Sequence, residues 1–283
     1  MMSSQNKIIH IDTIDIPELE IFKDLNEPQL AHYFEPNGGL FIAESSKVIE
    51  RALDAGYEPY MMLLDERIID GKAADIIARV LDVPIFAGSS DILMKIGGYQ
   101  MTQGMLCAMH RKKPEKADIC KTLESADRVV VLDNIENPTN VGAIVRSAVA
   151  LGMDAILVTN DSSDPLYRRA IRVGMGNIFL IPWYYVDDNY SELLHGKGYK
   201  TAAMALREDS VRLDYLPLVS EKKLAIIMGN EGDGLKDDVI AKCDYTVKIP
   251  MYYGADSLNV AAASAVAFWE LGKRNVMADT YKD

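Results

Sequence analysis

At 283 residues the chain is long enough for two domains, each burying a core of its own. Hydrophobic residues at 49% and charged residues at 25% match ordinary folded proteins and exclude a disordered or fibrous class. A formal net charge of −12 weighs against a polyanionic partner unless cationic side chains are gathered locally. No apolar run reaches the roughly 20 residues that cross a bilayer, and the opening MMSSQNK lacks the apolar stretch of a signal peptide, so the expectation is a cytoplasmic protein without a membrane partner. Cys107, Cys120 and Cys243 are odd in number and far apart, with no partner at ligand spacing; they are expected to be reduced, and no metal site is expected.

From Leu40 to about Arg111, short apolar runs alternate with helical stretches: LFIAES, SSKVIERALDAG, PYMMLLDE, KAADIIARVL, PIFAGS and GMLCAMHR. This pattern predicts a small α/β domain over residues 1–111. The charged stretch 112–127 carries a proline and no apolar strand, and is read as a linker. A second domain is expected over 128–283, with strands in RVVVLDNI, AILVTN, IFLIPWYYV, YKTAAMAL, KLAIIMGN and YTVKIP. Continuous apolar runs such as LAIIM fit a mostly parallel sheet covered by helices on both faces. Ligands of such sheets bind beyond the carboxyl ends of the strands, which directs attention to the loops there.

Three of those loops are chemically unusual. In DNIENPTNVGAIVRSAVALG, Val141, Ile144, Val145, Ala148 and Val149 define one apolar helix face, Asn140 or Thr139 suits the N-cap, and Gly152 suits the stop. Arg146 falls outside that account: it is either half of a surface ion pair or a clamp for phosphate, to which its planar fork of donors is suited. In MGNEGDGLKDD, Gly229, Gly232 and Gly234 expose backbone around Glu231, whose carboxylate could orient a cationic or hydroxyl group. The same run also serves as a plain strand-to-helix turn, and its G-x-x-G-x-G order is neither a dinucleotide fingerprint nor a P-loop. In VKIPMYYGADSLNVAAASAVAFWEL, Ser257 is an N-cap candidate, Asn259 follows it, and an alanine-rich helix presents a surface for the sheet or for a second subunit.

Taken together, NPTNVGAIVRSA, IIMGNEGDGL and IPMYYGADSLNVAAASAVA resemble, in order and spacing, the three signature motifs of the SpoU, or TrmH-like, RNA ribose methyltransferases, and they organise residues 128–274. FIAESSKVIERALDAGY and GYQMTQGMLCAMHR resemble the substrate-binding domain that often precedes that catalytic domain. The resemblance implies a SPOUT-type parallel sheet with a C-terminal trefoil knot, a homodimer, and methylation of a ribose 2′-hydroxyl of structured RNA by S-adenosylmethionine, with ribosomal RNA slightly preferred over transfer RNA. It assigns catalysis to Asn140, Arg146, Glu231, Ser257 and Asn259, and cofactor contacts to Gly229, Ile249 and Leu258, with Ala205 and Leu206 at a strand end.

RNA would then be met by two local basic groups, Arg111, Lys112, Lys113 and Lys116 in one segment and Arg168, Arg169 and Arg172 in another, although each group also reads as a solvated surface. In RRAIRVGMGN, Gly174 stands where relatives often carry serine. Two other functions compete with this reading. One is a non-catalytic RNA-binding module on the same fold. The other is a nucleotide-dependent oxidoreductase, against which stands the absence of GxGxxG followed by an acidic residue about 20 positions later.

Overall fold

The computed structural model describes residues 8–80, 82–97, 104–112, 116–230, 232–253 and 257–272. The chain divides into two compact units, Met1–Lys113 with Leu166–Phe179, and Pro114–Pro165 with Leu180–Asp283.

The first unit is built on a five-stranded sheet of β1 (Ile8–His10), β2 (Leu40–Glu44), β3 (Pro59–Asp65), β4 (Ile85–Gly88) and β5 (Met105–His110), in the order β1-β4-β3-β5-β2. β1, β4 and β3 are parallel, and β5 is antiparallel to both β3 and β2. Every residue of β2 is buried, which accounts for its unbroken LFIAE run. The helix Ser46–Asp54 buries Val48, Ile49 and Ala52, the spacing of one helical face.

The segment 166–179 reaches this unit from the middle of the stretch read as a continuous second domain from residue 128. Phe179 packs 5.6 Å from Phe41 and 5.2 Å from Tyr57, ring to ring. Arg51 donates to the Met175 carbonyl at 2.6 Å and to Asn177 Oδ1 at 2.5 Å. The expected strand IFLIPWYYV is divided accordingly: Asn177–Leu180 is a 3₁₀ turn, and the strand begins only at Trp183, after Pro182.

The second unit holds a seven-stranded sheet: β6 (Arg128–Leu132), β7 (Ala155–Thr159), β8 (Trp183–Val186), β9 (Lys200–Met204), β10 (Val211–Arg212), β11 (Leu224–Met228) and β12 (Tyr245–Lys248). Its order is β10-β12-β9-β11-β6-β7-β8, and every pairing is parallel. β6, β9, β11 and β12 therefore end at one edge. The stretch read as a linker contains a helix, Lys116–Ser125, whose Leu123 is fully buried in this unit's core beside Val129, Leu157 and Tyr199.

At the opposite edge, the half-buried Arg128 guanidinium donates to the carbonyls of Leu271 at 2.7 Å, Lys222 at 2.7 Å and Glu221 at 2.8 Å. It thereby pins the end of the helix Val260–Leu271, which packs against the helix Pro138–Ala150. Gly272 follows with no room for a side chain, since a Cβ there would lie 2.3 Å from the Leu151 carbonyl oxygen. Among the described residues no helix is long and apolar enough to cross a membrane. Cys107 is buried, and Cys120 and Cys243 are partly so; all three are free thiols.

Each unit carries a partly enclosed carboxylate held well below the usual range. Arg67 donates to Asp65 through its guanidinium and backbone amide and, with Ser90, outweighs burial to set Asp65 at about 2. Burial also opposes ionisation of Asp244, but Lys200, the Thr201 amide and His195 together bring it to about 2. A carboxylate with a depressed folded pKa contributes stability above its unfolded pKa near 4 and loses it as pH falls toward the folded value. Thermal melts from pH 7 to pH 2 should therefore show the midpoint dropping mainly between about pH 4 and about pH 2. Asp244→Asn should start lower and fall less steeply; a slope identical to wild type would contradict this assignment.

Candidate active site

Four strand ends shape the site. Beyond β6, Asn137 caps the helix Pro138–Ala150 by accepting the Thr139 amide at 2.9 Å. The cap is thus Asn137 and not Asn140 or Thr139, because Pro138 takes the first helical position, where its missing N–H is harmless. Asn140 is released from capping; its side chain is buried, and its Oδ1 accepts from Asn259 Nδ2 at 3.3 Å. Arg146 stands on the exposed side of the same helix, and no carboxylate among the described residues pairs with it.

Beyond β12 the cap has likewise moved from the expected position. The helix begins at Val260, and Asn259, not Ser257, caps it by accepting the Ala261 amide at 2.9 Å. Asn259 thus has two tasks, one for each end of its amide: Oδ1 starts its own helix, and Nδ2 reaches Asn140. Beyond β11, Gly229 leaves no room for a side chain, as a Cβ would lie 2.6 Å from Leu235 Cγ and 2.8 Å from the Leu235 amide nitrogen. Glu231 lies outside the described residues.

The loops after β9, β11 and β12 enclose a cavity of about 560 Å³. Ala205, Leu206, Gly229, Ile249 and Leu258 all line it, as do Ser257 and Asn259. Its walls combine apolar side chains such as Met228, Leu235 and Val260 with exposed loop backbone. Arg207 and Asp237 form an ion pair beside it, and Lys248 adds a cation to the lining. Asn140 and Arg146 do not line the cavity; Asn140 is connected to it through Asn259.

Of the basic residues anticipated for RNA, Lys116 opens the helix Lys116–Ser125 of the second unit, while Arg111, Lys112 and Arg168 belong to the first unit and are engaged within it. Arg111 Nε donates to the Leu40 carbonyl at 3.0 Å. Lys112 caps the Ala55 carbonyl and lies 4.7 Å from the centre of the Tyr57 ring. Arg168 pairs with the buried Glu44 at 3.1 Å, while its backbone amide donates to Glu27. Arg169 and Arg172 are exposed on the helix Arg168–Val173, and Lys113 lies outside the described residues. Gly174 closes that helix at φ −71°, an ordinary right-handed value, so the backbone itself does not require glycine there.

Two features escaped the sequence reading. Asp133, at the end of β6, is buried and its pKa is raised by that burial, against the opposing hydrogen bond from Tyr190 Oη at 2.5 Å. Asn230 fastens two loops together. Its Nδ2 donates to the Asn134 carbonyl at 3.0 Å and to Glu136 Oε1 at 3.3 Å, and its Oδ1 accepts the Gly232 amide at 2.7 Å. The asparagine set two residues before a glycine in GNEG is the one local signal for such a turn.

The chain is similar to several known proteins. A model described as the SpoU rRNA Methylase family matches residues 127–269. A Mycobacterium bovis protein named an uncharacterized tRNA/rRNA methyltransferase is 34% identical over 260 residues, covering 90% of this chain and 88% of its own. The 23S rRNA (guanosine(2553)-2′-O)-methyltransferase of Bacillus subtilis is 29% identical over 189 residues, covering 64% of this chain and 75% of its own. Among solved structures, an AdoMet-bound rRNA methyltransferase from Sinorhizobium meliloti shares the fold with a TM-score of 0.77 at 22% identity, covering 93% of this chain and 97% of that one.

The Asn230 bridge predicts a pH-dependent defect. Asn230→Asp keeps the acceptor for Gly232 but sets a carboxylate against the Asn134 carbonyl and the Glu136 carboxylate. The new group should have a raised pKa, so that stability present at low pH, where it can still donate, is lost as pH rises. Thermal melts should put the variant about 2–4 °C or more below wild type at pH 8, with the gap narrowing at pH 5; equal gaps at both values would count against the bridge.

Proposed function

The chain belongs to the SpoU rRNA methylase family, and on that premise we propose that it transfers the methyl group of S-adenosylmethionine to a ribose 2′-hydroxyl of structured RNA, with ribosomal RNA slightly preferred over transfer RNA as substrate. The observation that carries this reading is that five residues from three separate loops, Ala205, Leu206, Gly229, Ile249 and Leu258, line one cavity. Its volume of about 560 Å³ suits a nucleoside-sized ligand. Gly229, closed to any side chain, offers bare backbone to an adenine edge, while Ile249 and Leu258 supply apolar walls. Bound there, S-adenosylmethionine supplies an electrophilic methyl group.

The protein's own residues align the hydroxyl and ease the loss of its proton. Arg146, exposed and without an acidic partner among the described residues, is available to a phosphate or to the oxygen on which negative charge develops. A guanidinium with a pKa above about 12 is a poor base, so clamping and charge stabilisation are its physically easier tasks. The Asn259–Asn140 hydrogen bond links the helix that carries Arg146 to the cavity wall. Ser257 lines the cavity and is free of capping duty; Glu231, which lies outside the described residues, enters the proposal from its place in the second motif alone.

A homodimer belongs to the same proposal. The helix Val260–Leu271 turns Ala262, Val266 and Trp269 outward at helical spacing, and the last two are 40% and 60% exposed. An exposed apolar stripe of this kind is suited to a second copy of the chain. The trefoil knot of the family and a cytoplasmic location complete the reading.

Transfer of labelled methyl groups from S-adenosylmethionine to unmodified large-subunit ribosomal RNA, followed by mass spectrometry of the nucleosides, tests this directly. Wild-type protein should produce a 2′-O-methyl nucleoside. Arg146→Lys retains the charge and loses the fork of donors, so turnover should fall by about tenfold or more. Transfer to a base instead of a ribose, or near-normal turnover by the lysine variant, would refute the corresponding part of the account.

A further inference from the structure

Between Met251 and Ser257, both of which line the cavity, the chain presents two consecutive tyrosines to solvent. Tyr252 is 79% exposed and Tyr253 106%, more than any other large apolar residue described. Their ring centres are 6.5 Å apart with a 49° tilt, so neither ring shields the other by stacking. Tyr253 also has φ 57°, the left-handed region that a bulky side chain rarely adopts and that glycine adopts freely. Directly after the cavity-lining Met251, Tyr252 and Tyr253 thus combine a strained backbone with two solvated rings, and neither feature contributes to the folded core. Strain of this kind persists where the surroundings impose it, and it gathers at functional sites.

The charges around the rings indicate what meets them. Lys248, which lines the cavity four residues before Tyr252, has no acidic partner among the described residues. Arg212 on β10 pairs in register with Lys248 on β12, but its guanidinium is held by Asp214 at 2.9 and 3.0 Å, which leaves Lys248 as the available cation of the two. Aromatic faces beside cations are the means by which proteins hold unstacked bases of RNA, the ring taking the base and the cation its phosphate.

We propose that Tyr252 and Tyr253 form a stacking platform for a nucleobase of the substrate RNA, next to the ribose that is methylated. This rests on the RNA methyltransferase reading and extends it by naming the surface that grips the target strand. Tyr253 is held in its left-handed conformation because that places the ring at the rim, so the residue serves RNA binding at the expense of loop stability.

The two effects should separate in opposite directions. With large-subunit ribosomal RNA transcribed in vitro as the probe, Tyr253→Gly should raise the thermal midpoint, by relieving the backbone, and weaken RNA affinity by about 5- to 150-fold, the range expected for loss of one base stack. Tyr252→Ala should weaken affinity similarly, and Tyr253→Phe, which keeps the ring, should retain it. Wild-type RNA binding and methylation that survive unchanged in Tyr253→Gly and Tyr252→Ala would overturn the platform alone. Absence of both in the wild type would overturn the methyltransferase reading along with it. Variants that alter the oligomeric state in place of RNA affinity would assign the rings to a subunit contact and overturn the platform.

Discussion

A parallel sheet delivers its strand ends to one edge, and the loops that leave that edge carry backbone polar groups that need partners. In the second unit, asparagine amides meet much of that demand. Asn137 and Asn259 each start a helix by accepting an amide of the first turn. Asn230 and Asn259 then extend their amide nitrogens to the loop and helix after β6, the first to the Asn134 carbonyl and Glu136, the second to Asn140. An amide can donate and accept at once, which a hydroxyl on a short stem or a carboxylate cannot do across the same distance. Three loops from distant parts of the chain are thereby referred to one of them, and the cavity has defined walls without a side chain crossing it.

The division of charge follows from the same economy of partners. A chain of net charge −12 has few cations to place against an anionic ligand. In the first unit Arg111, Lys112 and Arg168 are bound to carbonyls or to the buried Glu44. In the second unit, Arg128 is consumed by backbone carbonyls at the sheet's other edge. At the cavity Arg207 is paired with Asp237, whereas Lys248 in the lining and Arg146 on the neighbouring helix have no acidic partners among the described residues.

Much of this is legible in the sequence alone. The apolar runs RVVVL and LAIIM are strands because buried parallel strands need no polar alternation, LFIAE is an antiparallel edge strand that is apolar because all of it is buried, and the glycines of GNEGDG mark a loop where backbone is exposed. The helix starts were displaced because two good capping residues stood close together. Asn137 and Asn140 differ as candidates only through Pro138, and Ser257 and Asn259 differ only through the tertiary bond to Asn140. Other features had no local signature. The role of Asn230 depends on a loop 96 residues away, and the attachment of 166–179 to the first unit depends on Phe179 meeting Phe41 and Tyr57. In the stretch 112–127, charge concealed a helix anchored by the buried Leu123 with Ile119 packed beside it.

The account stands on the cavity at the carboxyl edge of the second unit being the place where S-adenosylmethionine binds. A crystal structure of the protein grown with S-adenosylmethionine measures this most directly. The account predicts one cofactor per chain, its adenine against Ile249 and Leu258 and its edge on the backbone near Gly229. Cofactor density at any other place in the molecule, with this cavity left open, would contradict it.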